Sequence, residues 1–322
     1  MTALLDGRVA VVTGAGRGIG ASIARLLAGE GARVVVNDLG ASVDGVGGDD
    51  SPAASVVKEI RESGGEAVAN LNDIADFDKA GELVTQAIDT YGKLDVVVNV
   101  AGILRDKMIF NMAPEDWDAV IRVHLRGAFN LTRHSSSYWR GLRRPDGHFR
   151  LIHFTSGSGL HGAAGQPNYA AAKMGVVGLT YSCAHALQKY GVTTNAISPA
   201  ATTRMGASVP ADRQASRPSA MQQGSDEMSP DNVAPAVAYL ASERSDWCNG
   251  QVLLAAGYQI GLFNVPQVIR EIVSPGPWDL PTAFHMIEAA FRPVAQENRI
   301  PALGIGRAND GAAEPSAAAQ AR

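Results

Sequence analysis

The sequence predicts a single α/β domain in which seven parallel strands alternate with helices that cover both faces of the sheet. Two observations predict it. Short apolar runs of strand length alternate with segments of helical periodicity, a pattern that favours parallel strands joined by right-handed crossovers. The first run is followed at once by a glycine-rich turn and a helix, as in doubly wound sheets. The strands are expected near residues 8–13, 33–38, 66–71, 94–99, 150–155, 192–197 and 251–255.

The glycine-rich turn follows the first strand and reads Thr13-Gly14-Ala15-Gly16-Arg17-Gly18-Ile19-Gly20. Glycine allows a tight turn and a close approach of the backbone to a ligand. The N-terminus of the following helix presents unpaired N–H groups that bind phosphate. We therefore expect a dinucleotide pyrophosphate to lie against this turn, with an ordinary turn as the alternative. The candidate cofactor-binding residues here are Gly14, Arg17, Gly18, Ile19 and Gly20.

Asp38 ends the second predicted strand, eighteen positions after Gly20. An acidic residue at about this distance accepts hydrogen bonds from the adenosine ribose hydroxyls and repels a 2′-phosphate. Asp38 therefore predicts NAD rather than NADP as the cofactor. The alternative is a loop carboxylate that caps a turn. Arg17 is an argument for NADP, because a basic residue in the glycine turn also suits a 2′-phosphate.

Tyr169 and Lys173 are four residues apart on a predicted helix and therefore share one of its faces. A nearby ammonium stabilises a phenolate, so the pKa of the tyrosine is expected to fall from about 10 toward neutral pH. Such a pair can exchange a proton while an alcohol and a carbonyl are interconverted. A packed ring beside a solvated lysine is the alternative.

Together these elements resemble the short-chain dehydrogenase/reductase family over about residues 5–258. The resemblance implies a Rossmann-type fold and a catalytic site in which Tyr169 exchanges the hydroxyl proton, Lys173 binds the nicotinamide ribose and Ser156 donates to the substrate oxygen. Ser158 is the alternative serine, but the spacing to Tyr169 favours Ser156. Further cofactor-binding residues implied by the resemblance are Asn99, Ala101 and Gly102 after the fourth strand, Asp73 and Ile74 at the adenine, and Pro199 and Thr203 near the nicotinamide amide.

A closer likeness is to the (3R)-hydroxyacyl-CoA dehydrogenases of peroxisomal multifunctional enzymes of type 2. It rests on matching stretches that include residues 34–40, 64–70, 101–106 and 122–127, and on Arg204-Met205. The likeness implies NAD-dependent oxidation of a 3-hydroxyacyl-CoA in the breakdown of lipids or sterol side chains. The alternatives are a hydroxysteroid dehydrogenase, a 3-oxoacyl-carrier-protein reductase and an inactive sensor of dinucleotides.

His124 stands where the wider family has an asparagine of the catalytic tetrad, and it agrees with this branch of the family. An imidazole there can hold a water near Lys173, which would make His124 part of a proton relay. A histidine that only packs on the helix face is the alternative.

The organisation expected from the sequence is a dehydrogenase domain over 1–258, a helical extension over 259–306 and a disordered tail over 307–322. The domain includes a substrate-covering lid at 206–230, where the sequence is rich in Ser, Gln, Met and Pro. Two short helices, at 265–273 and 283–294, are predicted within the extension.

The composition excludes some classes of binding partner. A net charge of −4 provides no basic field for nucleic acid, no apolar run is long enough to cross a membrane, and no signal peptide is expected. The two cysteines suit a reducing, cytoplasmic location. We expect a small-molecule substrate, no metal and a homodimer or homotetramer. If the substrate is a CoA thioester, its phosphates need cations, for which Arg105 with Lys107, or Arg140 with Arg143 and Arg144, are candidates, with solvated surface as the alternative.

Overall fold

A computed structural model describes residues 3–48, 51–202 and 226–297. Thr203, the Arg204-Met205 pair, most of the predicted lid at 206–230 and the predicted tail at 307–322 lie outside the described residues. The strands are β1 Val9–Thr13, β2 Arg33–Asn37, β3 Glu66–Asn70, β4 Val96–Asn99, β5 Phe149–Phe154, β6 Val192–Ala200, β7 Val252–Ala256 and β8 Gln259–Leu262. The α-helices are α1 Gly18–Gly29, α2 Ser51–Glu62, α3 Phe77–Tyr91, α4 Pro114–Ile121, α5 Gly127–Leu142, α6 Gly157–His161, α7 Pro167–Leu187, α8 Ala234–Ala241 and α9 Leu280–Glu297.

The sheet has the order β3-β2-β1-β4-β5-β6-β7-β8. Its first seven strands are parallel, as predicted. After β3, at one edge of the sheet, the chain returns to add β4 on the other side of β1, so the strand order reverses between β1 and β4. In such sheets ligands bind at the carboxyl ends of the strands beside this reversal. The turns after β1, β2, β4 and β5 therefore form the edge where the candidate residues were expected.

The prediction of seven strands was one short. The strand β8 pairs antiparallel with β7 and forms the edge of the sheet. Gly257 and Tyr258 form the two-residue turn between them, and Gly257 has a φ of 55°. A glycine at the first central position is a typical hairpin signal, so the strand could have been predicted from Gly257 and the apolar residues that follow.

Two apolar layers hold the helices to the sheet. The layer on one face joins β1, β2 and β4 to α1, α2 and α8 and includes Ile23 and Leu240. The layer on the other face joins the same strands to α3 and α5 and includes Leu83 and Trp139. Full burial of each such side chain contributes about 1.5–3 kcal/mol, so these layers fix the strand ends that carry the site.

The extension differs from its prediction. Residues 263–279 contain no helix, so the helix predicted at 265–273 is absent, whereas the second predicted segment lies within α9. Pro266 disfavours a helical conformation at the residue before it. Val268 and Val273 are 79% and 78% exposed, and a short helix without an apolar surface to pack on gains too little to form. Within the described residues, no helix has the length and apolar content that crossing a membrane would require.

Candidate active site

The glycine turn joins β1 to α1 and is closely packed. Gly14 and Gly18 have φ values of 60° and 52°, in the left-handed region that glycine adopts without strain. A Cβ atom on Gly14 would lie 2.8 Å from the Cα of Ala101, and one on Gly20 would lie 2.2 Å from the Gly14 carbonyl oxygen. The turn therefore needs glycine at both positions, and it brings the candidate residues Gly14 and Ala101 together beside the start of α1.

Asp38 lies against this turn. Its Oδ2 accepts a hydrogen bond of 2.8 Å from the Gly16 N–H, and its Oδ1 accepts one of 2.7 Å from the Gly40 N–H. A Cβ atom on Gly16 would lie 2.8 Å from Asp38 Oδ2. The carboxylate therefore fits here only because Gly16 has no side chain. A carboxylate can accept about four hydrogen bonds, and Asp38 keeps acceptor capacity for two ribose hydroxyls. The cradle of glycines with a carboxylate at its side fits a dinucleotide.

Thr13 links the turn to the end of β4. Its hydroxyl donates to Asn99 Oδ1 at 3.0 Å and accepts from the Val100 and Ala101 N–H groups at 3.1 Å and 3.2 Å. Thr13 is a residue of the site that was not predicted from the sequence. Its position as the first residue of the glycine turn is the only signal that could have done so.

The remaining candidate cofactor residues lie around this edge. Asp73 forms an ion pair of 2.6 Å with Arg122, and the Ile74 side chain is buried in the core. Pro199 lies near the carboxyl end of β6, opposite Ala255 of β7. Asp73 and Ile74 follow β3, which is four strands away from β5. The candidates therefore follow the carboxyl edge of the sheet from β3 to β6, an extent that suits an elongated ligand.

Ser156, Tyr169 and Lys173 come together at the carboxyl end of β5. Ser156 precedes α6, and its side chain is hydrogen-bonded to the Tyr169 phenol. Lys173 is 5% exposed, and its Nζ donates a hydrogen bond of 2.8 Å to the Phe154 carbonyl oxygen. The Nζ lies 5.5 Å from the centroid of the Tyr169 ring. Tyrosine and lysine lie on one face of α7, as the spacing predicted.

His124 lies between the turn after β4 and Tyr169. It belongs to a π-helical turn, Arg122–Arg126, that interrupts the path from α4 to α5, and such turns are frequent at functional sites. Its Nε2 is 3.0 Å from the Ile103 nitrogen and 2.8 Å from the Ile103 carbonyl oxygen. Its ring meets the Tyr169 ring edge-on with centroids 5.0 Å apart. A Cβ atom on Gly102 would lie 2.2 Å from this imidazole, so Gly102 makes room for the histidine.

The sequence model of the family described as short chain dehydrogenase matches residues 8–214. This chain belongs to the short-chain dehydrogenase family. It is 44% identical over 284 residues to the hydroxyacyl-CoA dehydrogenase ChsB1 of Mycobacterium tuberculosis, a match that covers 85% of this chain and 86% of the relative. It is 42% identical over 270 residues to the peroxisomal multifunctional enzyme type 2 of Mus musculus, covering 83% of this chain and 34% of that longer protein.

A solved structure of a short-chain dehydrogenase from Mycobacterium avium has a TM-score of 0.76 and 40% identity, and the match covers 95% of this chain and 100% of that chain. The chain is therefore an oxidoreductase of the kind that acts on a CH–OH group, and short-chain dehydrogenases use nicotinamide cofactors. The resemblance inferred from the motifs is confirmed.

Burial dominates the electrostatics of the dehydrogenase site. It raises the pKa of the Tyr169 phenol to about 12, although the hydrogen bond from Ser156 acts in the opposite direction. It also lowers the pKa of Lys173 to about 7. The expectation that Lys173 lowers the pKa of the phenol is therefore wrong for this structure. The cost of burying either charge exceeds the attraction that the helical spacing suggested.

Burial also keeps the two nearby histidines neutral. The pKa of His124 lies well below its ordinary value because of burial, with a smaller effect of the Lys173 charge. His153 of β5 has its pKa lowered to about 4 for the same two reasons. The Nδ1 of His124 has no hydrogen-bond partner in the described part of the chain. A neutral imidazole with a free nitrogen can bind a water, so the relay expected for His124 stays a prediction.

The two basic clusters lie at opposite edges of the sheet. Arg105 and Lys107 follow β4 at the catalytic edge, and the Arg105 carbonyl oxygen accepts a hydrogen bond of 3.0 Å from Asn168, the neighbour of Tyr169. The second cluster, which consists of Arg140, Arg143 and Arg144, lies at the end of α5 before β5 begins. It therefore belongs to the amino edge of a parallel sheet and is too far from the site to bind a substrate there.

Proposed function

We propose that this short-chain dehydrogenase oxidises a 3-hydroxyacyl-CoA to the 3-oxoacyl-CoA with NAD, in the breakdown of lipids or sterol side chains. The observation that carries the proposal is the Ser156–Tyr169–Lys173 site in a chain that matches a hydroxyacyl-CoA dehydrogenase over 85% of its length.

In this proposal the substrate hydroxyl lies between Ser156 and Tyr169. Ser156 donates a hydrogen bond to the substrate oxygen and fixes its position, and the Tyr169 phenolate removes the hydroxyl proton. Bound NAD supplies the acceptor for the hydride that leaves the carbinol carbon. Lys173, held by its hydrogen bond to the Phe154 carbonyl oxygen, would bind the nicotinamide ribose. Gly14, Gly18 and Gly20 hold the pyrophosphate, and Asp38 holds the adenosine ribose.

Cofactor choice follows from the Asp38 carboxylate. A 2′-phosphate on the ribose would meet like-charge repulsion there, so NAD is expected to exceed NADP in kcat/KM by at least tenfold, equivalent to about 1.4 kcal/mol. Asp38→Ala should reduce the ratio of kcat/KM for NAD to that for NADP, mainly by raising the value for NADP. Steady-state kinetics with both cofactors measure this ratio. Comparable kcat/KM values for the two cofactors in the wild-type protein would contradict the assignment to NAD.

The alternatives are less well supported. A 3-oxoacyl-carrier-protein reductase normally consumes NADPH, which Asp38 disfavours. A hydroxysteroid dehydrogenase needs no cations for a CoA group, whereas Arg105 and Lys107 lie at the catalytic edge. Both cations are held by Asp116, whose carboxylate is 2.7 Å from Lys107 Nζ and 3.9 Å from Arg105 Nη1.

Comparison of full and truncated thioesters tests the substrate class. A 3-hydroxyacyl-CoA is expected to exceed the matching N-acetylcysteamine thioester in kcat/KM, and added salt should shrink the advantage because it screens the contacts with phosphate. Lys107→Ala should reduce the advantage, whereas Arg144→Ala, which removes the same charge at the opposite edge of the sheet, should not. Equal values for the two thioesters would refute recognition of CoA and leave a free alcohol, such as a steroid, as the leading substrate.

Assembly and location carry less support. The homodimer or homotetramer and the cytoplasmic location expected from the sequence stay predictions, and size-exclusion chromatography with light scattering measures the first.

A further inference from the structure

One buried amide joins the catalytic helix to the segment that precedes α4. Asn168 is the second residue of α7, is fully buried and directly precedes Tyr169. Its Oδ1 accepts a hydrogen bond of 2.7 Å from the Tyr169 N–H. Its Nδ2 donates to the Arg105 and Asp116 carbonyl oxygens, each at 3.0 Å. An asparagine amide has two N–H donors, so this side chain uses both of them.

The first of these bonds holds the backbone of the catalytic residue. The Tyr169 N–H is one of the groups at the start of a helix that have no partner within the helix. The preceding N-cap residue, Gln166, makes no hydrogen bond to these groups with its side chain. Asn168 therefore supplies the acceptor that fixes the backbone of Tyr169.

The other two bonds hold both ends of one segment. The mouth segment, residues 105–116, runs from the turn after β4 into the first turn of α4. Its end residues also form an ion pair, with Arg105 Nη1 at 3.9 Å from Asp116 Oδ1, and Asp116 Oδ2 lies 2.7 Å from Lys107 Nζ. Asn168 thus fixes the backbone of the residues that carry or orient the two candidate CoA cations.

We propose that Asn168 is a positioning residue that holds the mouth segment and Tyr169 in one arrangement, so that a thioester bound to the segment presents its hydroxyl to the phenol. The inference rests on the proposed function, because it takes Arg105 and Lys107 as the groups that bind CoA. Reacting atoms must lie about 3–3.5 Å apart, and a displacement of about 1 Å can lower the rate about 10²-fold. One amide that bonds both the segment and the Tyr169 backbone meets this requirement without contacting the substrate.

The test removes all three bonds with Asn168→Ala. We expect kcat for 3-hydroxybutyryl-CoA, expressed per NAD-binding site, to fall about tenfold because the phenol is displaced. We also expect the ratio of kcat/KM for this thioester to that for its N-acetylcysteamine analogue to fall about threefold, because the released cations bind phosphate less well. Steady-state kinetics give both quantities, and calorimetric titration of NAD counts the sites. Neither depends on the folded fraction, so a purely structural role would lower the melting temperature without changing them.

Asn168→Asp is a second variant, for which the same two changes are expected. It keeps the shape of the side chain and an oxygen that accepts from the Tyr169 N–H. An ionised carboxylate has no N–H or O–H to donate to the two carbonyl oxygens, so the mouth segment is released in this variant as well.

Asn195→Ala is the matched control. Asn195 is 1% exposed on β6, its Nδ2 donates to the Cys248 carbonyl oxygen at 2.8 Å, and its Oδ1 accepts from the Gln251 N–H at 2.9 Å. Both partners precede β7 and therefore lie at the amino edge of the sheet. This variant loses a comparable buried amide away from Tyr169, so its melting temperature should fall while kcat per site and the ratio stay unchanged.

The outcomes separate this inference from the proposed function. If the wild-type protein prefers the CoA thioester, then an unchanged kcat per site or an unchanged ratio in the Asn168 variants would overturn the role of Asn168 alone. The same two changes in Asn195→Ala would overturn it too. A wild-type protein that oxidises neither thioester, or both equally well, would overturn the proposed function and this inference with it.

Discussion

Tyr169→Phe is expected to lower kcat on the order of 10²-fold or more, because it removes the phenol beside Ser156 that takes the hydroxyl proton in the proposed reaction. Phenylalanine keeps the ring that packs edge-on against His124, so the dissociation constant of NAD and the melting temperature should change little. Steady-state kinetics, calorimetric titration of NAD and thermal unfolding measure the three quantities.

Tyr181→Phe is the matched control for this prediction. Tyr181 lies on the same helix, three turns beyond Tyr169, and packs with Val177 outside the catalytic group. The same loss of a hydroxyl should leave kcat unchanged there. Near wild-type turnover in Tyr169→Phe would mean that the acid–base group is misassigned.

The pH dependence gives an independent check on the same residue. Because burial raises the pKa of Tyr169 to about 12, the phenolate is scarce at neutral pH and the rate of alcohol oxidation should rise with pH. The rise should be absent in Tyr169→Phe, so the ratio of wild-type to variant rates should widen toward alkaline pH.

Much of this site could be predicted from the sequence because its parts are local. The glycine turn, Asp38 and the Tyr169–Lys173 pair each depend on short spacings within one strand–turn–helix unit or one helix. The parallel sheet then brings these units to one edge without further information. The Thr13 hydroxyl, by contrast, accepts hydrogen bonds from the Val100 and Ala101 N–H groups, which are more than eighty residues away. No local sequence pattern predicts such a contact.

Burial and tertiary packing account for the predictions that failed. The pKa of Tyr169 depends on how much water the folded chain excludes, which helical spacing alone does not encode. The helix expected at 265–273 has suitable apolar spacing, but its apolar residues remain exposed. The hydrogen bond from Gln166 Nε2 to Asp106 Oδ2 joins residues that are sixty positions apart. It forms because the turn after β4 packs against the start of α7, which no local pattern predicts.

Lys173→Met is expected to abolish catalysis and yet to stabilise the protein. Methionine matches the length of the lysine stem and packs well in an apolar site. The lysine, by contrast, is 5% exposed and has its pKa lowered to about 7 by burial, which means that the fold holds an ammonium at a cost. Replacing buried ion pairs with well-packed apolar side chains can stabilise a protein by about 1–4 kcal/mol, and a single buried ammonium bears the same kind of desolvation cost. The variant should therefore melt a few degrees higher at neutral pH while turnover falls on the order of 10²-fold or more.

The pH dependence of that stability difference identifies its cause. Below a pH of about 7 the lysine is protonated in both the folded and the unfolded chain, and the wild-type protein bears the full cost of burial. Between about 7 and the ordinary value of 10.5 the unfolded chain binds the extra proton, so the stability of the wild-type protein rises with pH relative to the variant. The gap in melting temperature should thus be largest at or below pH 7 and shrink toward pH 10. Lys189→Met, at an exposed lysine whose Nζ also lies over a tyrosine ring, at 5.2 Å, should show neither the stabilisation nor the loss of turnover. A Lys173→Met protein that is less stable than the wild type at pH 7 would mean that the bond from Nζ to the Phe154 carbonyl oxygen outweighs the cost of burying the charge.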